Sequence, residues 1–197
     1  MDAKRSMDVA VSALGLAVSS PVMLVVAAAV ALDSPGGVIF RQERVGLAGE
    51  VFRIRKFRTM RAVHDGLAVS TFGDSRVTRV GRVLRRTKLD ELPQLLDVLE
   101  GHLSLVGPRP EVPQYVAQWP ADLRPVILSV RPGITDPVSI QLRNEAELLA
   151  RAEDPEQYYR EVLLPRKARG YADYVRNRSL HGDLVVLART AAAVMLR

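Results

Sequence analysis

The sequence predicts an α+β protein that is mainly α-helical, with a helix–break–helix at its N-terminus, one small β-hairpin and several short amphipathic helices. Two observations support this prediction. Val9 to Leu32 is an uncharged run of 24 residues, and the rest of the chain mixes strand and helix patterns with Gly and Pro. The 197 residues suffice for one domain with a core but are few for two. We divide the chain into a membrane hairpin, residues 1–35, and a globular domain, residues 36–197, that work as one unit.

The uncharged run is long enough to cross a bilayer, since about 20 residues suffice. Pro21 in its middle removes one helix hydrogen bond and predicts a kink, and Ser19 and Ser20 can satisfy the freed backbone carbonyl. Basic residues flank both ends, which favours the cytoplasm for both. We therefore expect a re-entrant segment broken at Ser20-Pro21. A kinked spanning helix and a cleaved signal peptide are the alternatives.

The charge of the chain is concentrated in one stretch. The net charge is +6, and residues 41–109 contain 14 Lys and Arg against 8 Asp and Glu. Such a stretch should attract an anionic ligand or surface. The chain has no Cys, which excludes disulfides, Cys-ligated zinc and thiol nucleophiles. The three His lack metal-ligand spacing, so we interpret them as structural.

Residue patterns predict the elements in order. Gly36–Arg41 and Glu50–Phe57 are rich in Val, Ile and Phe and predict a β-hairpin. Residues 61–75 predict a loop, and Ser75 would cap a helix over residues 76–87. A second helix carries Leu at i, i+3, i+7 and i+10 from Leu89 and stops at Gly101.

The C-terminal half begins with turns and ends with helices. Seven Pro between residues 107 and 137 predict irregular turns and short helices. Helices are expected at Asn144–Ala152, Glu156–Tyr174 and His181–Leu196. The last is apolar enough to lie in the core or along a membrane surface.

An acidic pair precedes the second helix. Pro is tolerated in the first turn of a helix, so Pro93 places Asp90 and Glu91 near the helix N-terminus, where the macrodipole stabilises anions. That position predicts ionised carboxylates at neutral pH. Because adjacent carboxylates repel, Mg²⁺ held by Asp90 and Glu91 is expected, and it would leave sites for phosphate oxygens. An ionised carboxylate beside a diphosphate can act as a nucleophile.

Rigid cationic turns accompany this acidic pair. Pro108 and Pro110 enclose Arg109, Arg58-Thr59 ends the hairpin, and Arg131 precedes a Pro-Gly turn. Together with Arg85 they predict a site in which guanidinium groups neutralise phosphate charge during phosphoryl transfer.

These segments, in this order, resemble the monotopic phosphoglycosyl transferases, or bacterial sugar transferase family, in its small form with the catalytic domain alone. The resemblance covers residues 4 to about 190. The matching segments are Lys4–Asp8, Ser20-Pro21, Gly37–Phe40, Gln42–Gly46, Lys56–Met60, Leu89–Gln94, Ser104–Pro110 and Val130–Thr135.

The resemblance implies a re-entrant helix broken at Ser20-Pro21 and a catalytic domain on the cytoplasmic face of the bacterial inner membrane. It implies that Asp90 attacks a UDP-sugar, releases UMP and forms a phosphosugar-aspartyl intermediate, and that polyprenyl phosphate, presumed to be undecaprenyl phosphate, then accepts the phosphosugar. Glu91 would help hold Mg²⁺. Such a step begins the assembly of a glycoconjugate, such as an exopolysaccharide, an O-antigen or a glycoprotein. The partners implied are the UDP-sugar, the polyprenyl phosphate and the phospholipid membrane.

The resemblance also assigns binding positions. Arg109, between Pro108 and Pro110, would contact the nucleotide-sugar. Arg58 and Arg85 match basic positions near the active site of the family. After Gly-Ile-Thr the chain departs from the family pattern, since Pro137 stands where many members carry an aromatic residue, and the sugar therefore stays open.

Three other functions stay in view. A diphosphate hydrolase would use the same fold with water as acceptor, and a membrane-anchored interaction module would need neither Asp90 nor Mg²⁺. Nucleic-acid binding is disfavoured, since aromatic residues make up 5% of the chain and no such motif is present. Whether the chain forms a homo-oligomer is left open.

Overall fold

The computed structural model describes residues 2–61 and 74–195. It confirms the mainly α-helical α+β class. Its helices are α1 (Ala3–Asp33), α2 (Arg79–Thr87), α3 (Gln94–Glu100), α4 (Pro113–Val116), α5 (Arg124–Leu128), α6 (Pro137–Gln141), α7 (Glu145–Arg151), α8 (Pro155–Tyr158), α9 (Leu164–Asn177) and α10 (Leu180–Met195). Its strands are β1 (Ile39–Val45), β2 (Val51–Phe57), β3 (Ser104–Val106) and β4 (Gly133–Thr135).

Helix α1 is the described helix that is long and apolar enough to cross a membrane. Its helical assignment runs without interruption through Pro21. Pro21 cannot donate to the carbonyl of Ala17, and the Ser20 hydroxyl donates to that oxygen over 2.9 Å. The predicted role of the serine is confirmed, whereas the predicted break does not interrupt the helix.

Both halves of α1 bury side chains against the rest of the protein, whereas its middle has none that is fully buried. Its buried residues are Asp8 and Ser12 in the N-terminal half and Val26 and Val30 in the C-terminal half. The intervening residues 17–25, all described, contain no buried side chain, and Val18 is 71% exposed. The segment around Ser20-Pro21 is therefore largely exposed and apolar, with the partly buried Met23 packed beside Val26 and Val30.

Side chains hold each end of α1. Near its start, the Asp8 carboxylate accepts from the Ser104 hydroxyl at 2.8 Å and from the Leu105 amide at 3.2 Å. Past its end, the buried Arg58 guanidinium donates to the carbonyls of Val30, Ser34 and Pro35. The Val30 carbonyl is one of the four that a helix C-terminus leaves unpaired, and Ser34 and Pro35 follow the last residue of α1.

The predicted hairpin is confirmed as an antiparallel pair with Ile39 opposite Phe57 and Val45 opposite Val51. A second sheet was not predicted. Strand β3 pairs in parallel with β4, so that Ser104 lies opposite Gly133. The turns that adjoin these two strands thereby become neighbours, although Ser104 and Gly133 are 29 positions apart in sequence.

Two helix boundaries differ from prediction. Helix α2 begins at Arg79 with Thr78 as its cap, not after Ser75, because Val77 pairs with Met60 and the Thr78 amide donates to the Thr59 carbonyl. The second helix is also shorter than predicted. Lys88 takes a left-handed conformation with φ 61°, a 3₁₀ turn spans Leu89–Glu91, and α3 begins at Gln94. The predicted loop at 61–75 lies largely outside the described residues.

Three clusters of buried apolar side chains support these elements. One joins α1 to β2 and α2 through Val30, Phe57 and Leu84. A second joins β2, α3, β3 and α10 through Ile54, Val98, Val106 and Val186. The largest lies among the helices from α4 to α9. The 3₁₀ turn with the acidic pair lies beside the first cluster, into which Leu89 packs.

Candidate active site

The acidic pair lies in the 3₁₀ turn immediately before α3. Asp90 is 7% exposed, and its Oδ1 atom has no hydrogen-bond partner in the part of the chain that the structure describes. Buried polar atoms are nearly always satisfied, so an unpaired carboxylate oxygen needs an explanation. A reactive oxygen that meets its partner only when substrate or a cation is bound would account for it.

Glu91 has the opposite surroundings. Its Oε1 atom accepts from Lys56 at 2.9 Å and from Arg109 at 2.5 Å. Lys56 comes from β2, where it shares a face with Phe52 and Ile54 because side chains alternate along a strand. Lys56 was not assigned to the site from sequence, although it belongs to a matched segment.

The protein shifts the pKa values of the two carboxylates in opposite directions. Burial, and then the Glu91 charge, raise the pKa of Asp90. Burial would also raise the pKa of Glu91, but the charges of Arg109 and Lys56 outweigh it and hold that pKa well below its usual range. The sequence predicts that the helix N-terminus keeps both carboxylates ionised. The lowered pKa of Glu91 agrees with this prediction, whereas the pKa of Asp90 is raised because the tertiary structure buries its carboxylate.

Arg109 reaches Glu91 from a turn that is held by backbone. Its second guanidinium nitrogen donates to the Ile134 carbonyl at 3.2 Å. Pro108 and Pro110 are buried on either side, and the Pro108 carbonyl accepts from the Gly133 amide at 2.9 Å.

The contact between the Gly133 and Gly107–Pro108 backbones requires glycine. A Cβ atom added to Gly133 would lie 2.1 Å from the Gly107 nitrogen, closer than any side chain can approach. The close approach of Gly107 and Gly133 thus sets the position of Arg109.

Arg85 and Thr59 form the other side of the site. Arg85 Nε donates to Thr59 Oγ1 at 3.1 Å. Burial lowers the pKa of Arg85 and the Asp90 charge opposes that effect, which places the guanidinium near Asp90. The predicted residues Asp90, Glu91, Arg85, Thr59 and Arg109 are thus brought together.

Arg58 and Arg131 lie elsewhere. Arg58 binds carbonyls at the end of α1, and Arg131 Nε donates to the Gly101 carbonyl at the far end of α3, at 2.8 Å. The divergent Asp136–Ser139 segment starts α6, where the fully buried Asp136 caps the helix by accepting from the Ser139 amide and hydroxyl.

The acidic pair is the part of the site that could hold Mg²⁺. Among residues 2–61 and 74–195, no cluster of three or more His, Asp or Glu could hold a metal ion. Two adjacent carboxylates, one with an unpaired oxygen, nevertheless fit a cation that uses one or two carboxylates and completes its shell with water and phosphate oxygens.

Comparison with known proteins identifies the family of the chain. The whole chain, residues 1–197, matches the family described as bacterial sugar transferase. A UDP-glucose:undecaprenyl-phosphate glucose-1-phosphate transferase of Caulobacter vibrioides is 38% identical over 98% of this chain and 69% of its own length. A protein of the same name from Escherichia coli K12 is 43% identical over 76% of this chain and 33% of its own length. The exopolysaccharide production protein ExoY of Rhizobium meliloti is 35% identical over 98% and 86%.

The family match and the relatives define a class, the sugar-phosphate transferases. The chain belongs to the bacterial sugar transferase family. It spans about a third of the length of some relatives, including the Escherichia coli protein.

Proposed function

We propose that this protein transfers a sugar 1-phosphate from a UDP-sugar to undecaprenyl phosphate, or another polyprenyl phosphate, through a covalent intermediate on Asp90. The observation that carries the proposal is the buried Asp90 carboxylate with an unpaired oxygen, beside a carboxylate that two cations neutralise. The relatives named as undecaprenyl-phosphate transferases support the donor and acceptor classes.

In the first step an Asp90 oxygen attacks the phosphorus that carries the sugar. A bond forms between this oxygen and phosphorus, and the bond from phosphorus to the bridging oxygen breaks, so UMP leaves with that oxygen. Arg109, Lys56 and Arg85 would contact the phosphate oxygens and stabilise the developing charge. Mg²⁺, when bound at Asp90 and Glu91, would neutralise the diphosphate.

In the second step a phosphate oxygen of the lipid acceptor attacks the same phosphorus. The bond to Asp90 breaks, the carboxylate is restored, and the product is a polyprenyl diphosphate sugar. Burial of Asp90 supports this reaction because a poorly hydrated carboxylate is a stronger nucleophile, and its raised pKa reflects the same burial.

We propose further that α1 enters and leaves one leaflet, with the domain on the cytoplasmic face. A straight helix of 31 residues would be roughly 46 Å long, more than the apolar thickness of a bilayer of about 30 Å. Contacts of both halves with one domain favour re-entry over spanning, because a spanning helix would carry one end away from that domain. The exposed Val18, Leu24 and Val25 would then lie in lipid.

The proposal is tested by UMP release from a panel of UDP-sugars with Mg²⁺, with and without polyprenyl phosphate. Asp90→Asn should abolish release and covalent labelling by a sugar-labelled donor, whereas Asp122→Asn, which changes an exposed acid, should retain both. Turnover that continues without lipid and yields free sugar phosphate would instead establish the hydrolase. Activity retained by Asp90→Asn would contradict the assigned nucleophile.

A further inference from the structure

A second group of buried charges lies directly behind the Arg109 turn. Its centre is Glu111, which is 6% exposed and two residues after Arg109. The Glu111 carboxylate accepts from the Tyr159 hydroxyl at 2.6 Å and pairs with Lys167 at 3.0 Å. Its backbone carbonyl accepts from the Val45 amide at 2.9 Å. Glu111 thus connects the turn to β1 and to α9.

The backbone is distorted where it supplies these partners. Tyr159–Leu163 form a π-helical turn immediately before α9. Such turns are rare and occur frequently at functional sites. Lys167 lies 4.8 Å from the Tyr159 ring centre and donates to its hydroxyl at 3.1 Å. The distortion therefore belongs to the arrangement that surrounds Glu111.

Arg44 extends this group toward the active site. Its guanidinium donates to the Gln42 side chain at 2.7 Å, and another of its nitrogens lies 3.9 Å from Glu111. Burial lowers the pKa of Arg44, the Glu111 charge opposes this, and the Arg109 charge adds to it, so the two guanidinium groups lie near each other.

The Arg44 side chain retains access to solvent. It is 19% exposed, comparable to 29% for Arg109 and 20% for Lys56. Within the described part of the chain, no Arg44 nitrogen is both buried and unpaired. A guanidinium has five N–H donors, and the short bond to Gln42 uses one of them. The nitrogen that faces Glu111 lies 3.9 Å from it, beyond hydrogen-bond distance, so the partly exposed guanidinium retains donors for an anion that enters beside Arg109.

We propose that Arg44 is a further donor-binding residue that contacts the diphosphate of the nucleotide-sugar, and that Glu111 is the positioning residue that orients it. The inference rests on the proposed function, since it requires a nucleotide diphosphate at this site. Two guanidinium groups on adjoining elements suit a diphosphate, whose two phosphate groups each offer oxygens to a planar donor.

The test measures binding of UDP, in the presence of Mg²⁺, to the full chain in detergent micelles by titration calorimetry, and records the Tm of every variant. Arg44→Gln should raise the Kd at least about tenfold, as expected for a lost charged hydrogen bond. Arg169→Gln is the matched control, because Arg169 is exposed on α9, and its Kd should equal that of the wild type. An unchanged Kd in Arg44→Gln would overturn the inference and leave the proposed function intact.

A second pair of variants separates positioning from folding. Glu111→Gln should raise the Kd and lower the Tm, because the buried Lys167 loses the closer of its two carboxylates and keeps Glu145 at 3.4 Å. Adding Lys167→Met removes this poorly compensated charge, so the Tm should recover while the Kd stays high. Recovery of both would show that Glu111 acts through stability alone, which overturns its positioning role. Absence of UDP binding by the wild type would refute the proposed function together with this inference.

Discussion

Replacement of each carboxylate of the acidic pair by its amide should change stability in opposite directions. Asp90→Asn removes a buried charge whose Oδ1 has no partner among the described residues. The neutral amide has the same shape but avoids the burial of a charge and the repulsion from Glu91, which together raise the pKa of Asp90. Removing the charge should therefore stabilise the fold by an amount on the order of 1 kcal/mol, the free energy that corresponds to a typical pKa perturbation in a folded protein, although the variant is expected to be inactive.

Glu91→Gln should destabilise the fold. It removes the charge that pairs with Lys56 and Arg109. Breaking a buried ion pair costs about 3–5 kcal/mol, and partial exposure of both cations reduces the expected loss to about 1–3 kcal/mol. In a chain of this size each kcal/mol moves the Tm by about 2–4 °C. The Tm should therefore rise by about 2–4 °C in Asp90→Asn and fall by about 2–12 °C in Glu91→Gln.

The pH dependence gives a further check on Asp90. Its pKa is raised in the folded state, so its contribution to stability is fully present below the unfolded pKa and is lost as the pH rises through the folded pKa. The stability advantage of Asp90→Asn over the wild type should therefore grow with pH. Thermal unfolding followed by circular dichroism in detergent, at several pH values, measures both the Tm shifts of the two variants and the pH dependence of the Asp90→Asn shift. Shifts of the same sign for the two variants would refute the description of the site.

Three further outcomes are expected. Pro21→Ala restores an amide donor to the Ala17 carbonyl and should move α1 toward a membrane-spanning orientation. An Ala3→Cys substitution introduces a single cysteine, because the chain has no native Cys, and in the Pro21→Ala background this cysteine should become accessible to an impermeant maleimide added outside spheroplasts. Protection of the cysteine both with and without Pro21→Ala would contradict this expectation. Gly133→Ala should lower UMP release and Tm, because its Cβ would displace the Gly107 backbone and with it Arg109; a variant with wild-type values would show that the close approach is dispensable. Chelation by EDTA should suppress UMP release and added Mg²⁺ should restore it, whereas full activity in EDTA would exclude a required divalent cation.

Much of the local structure could be predicted from sequence because it depends on neighbouring residues. The uncharged run, the alternation in the hairpin and the glycine stop at Gly101 each follow from local patterns, and the structure confirms a long apolar helix, the hairpin and that stop. The acidic pair was placed correctly near a helix start because Pro93 restricts the backbone there. Boundaries failed where distant segments intervened, as at Thr78, whose amide bonds the Thr59 carbonyl.

The composition of the site was only partly predictable. Arg58, Arg109 and Arg131 have similar surroundings in sequence, each beside a turn, yet Arg109 alone of these three pairs with the acidic pair. Arg58 instead binds the end of α1, and Arg131 binds the end of α3. The sequence analysis assigns neither Lys56 nor Arg44 to the site. The position of Lys56 on the same face of β2 as Phe52 and Ile54 could have indicated that it points inward.

The sequence by itself determined the apolar segment, the class of the fold, and the presence of carboxylates and guanidinium groups suited to a phosphorylated substrate. The tertiary structure decided which of these groups meet. It did so through the parallel pairing of β3 with β4, which brings the Arg109 turn to Glu91, and through burial, which raises the pKa of Asp90 while ion pairs lower that of its neighbour. The physical reason is that charges interact through distance and dielectric, and both depend on contacts between segments far apart in the chain.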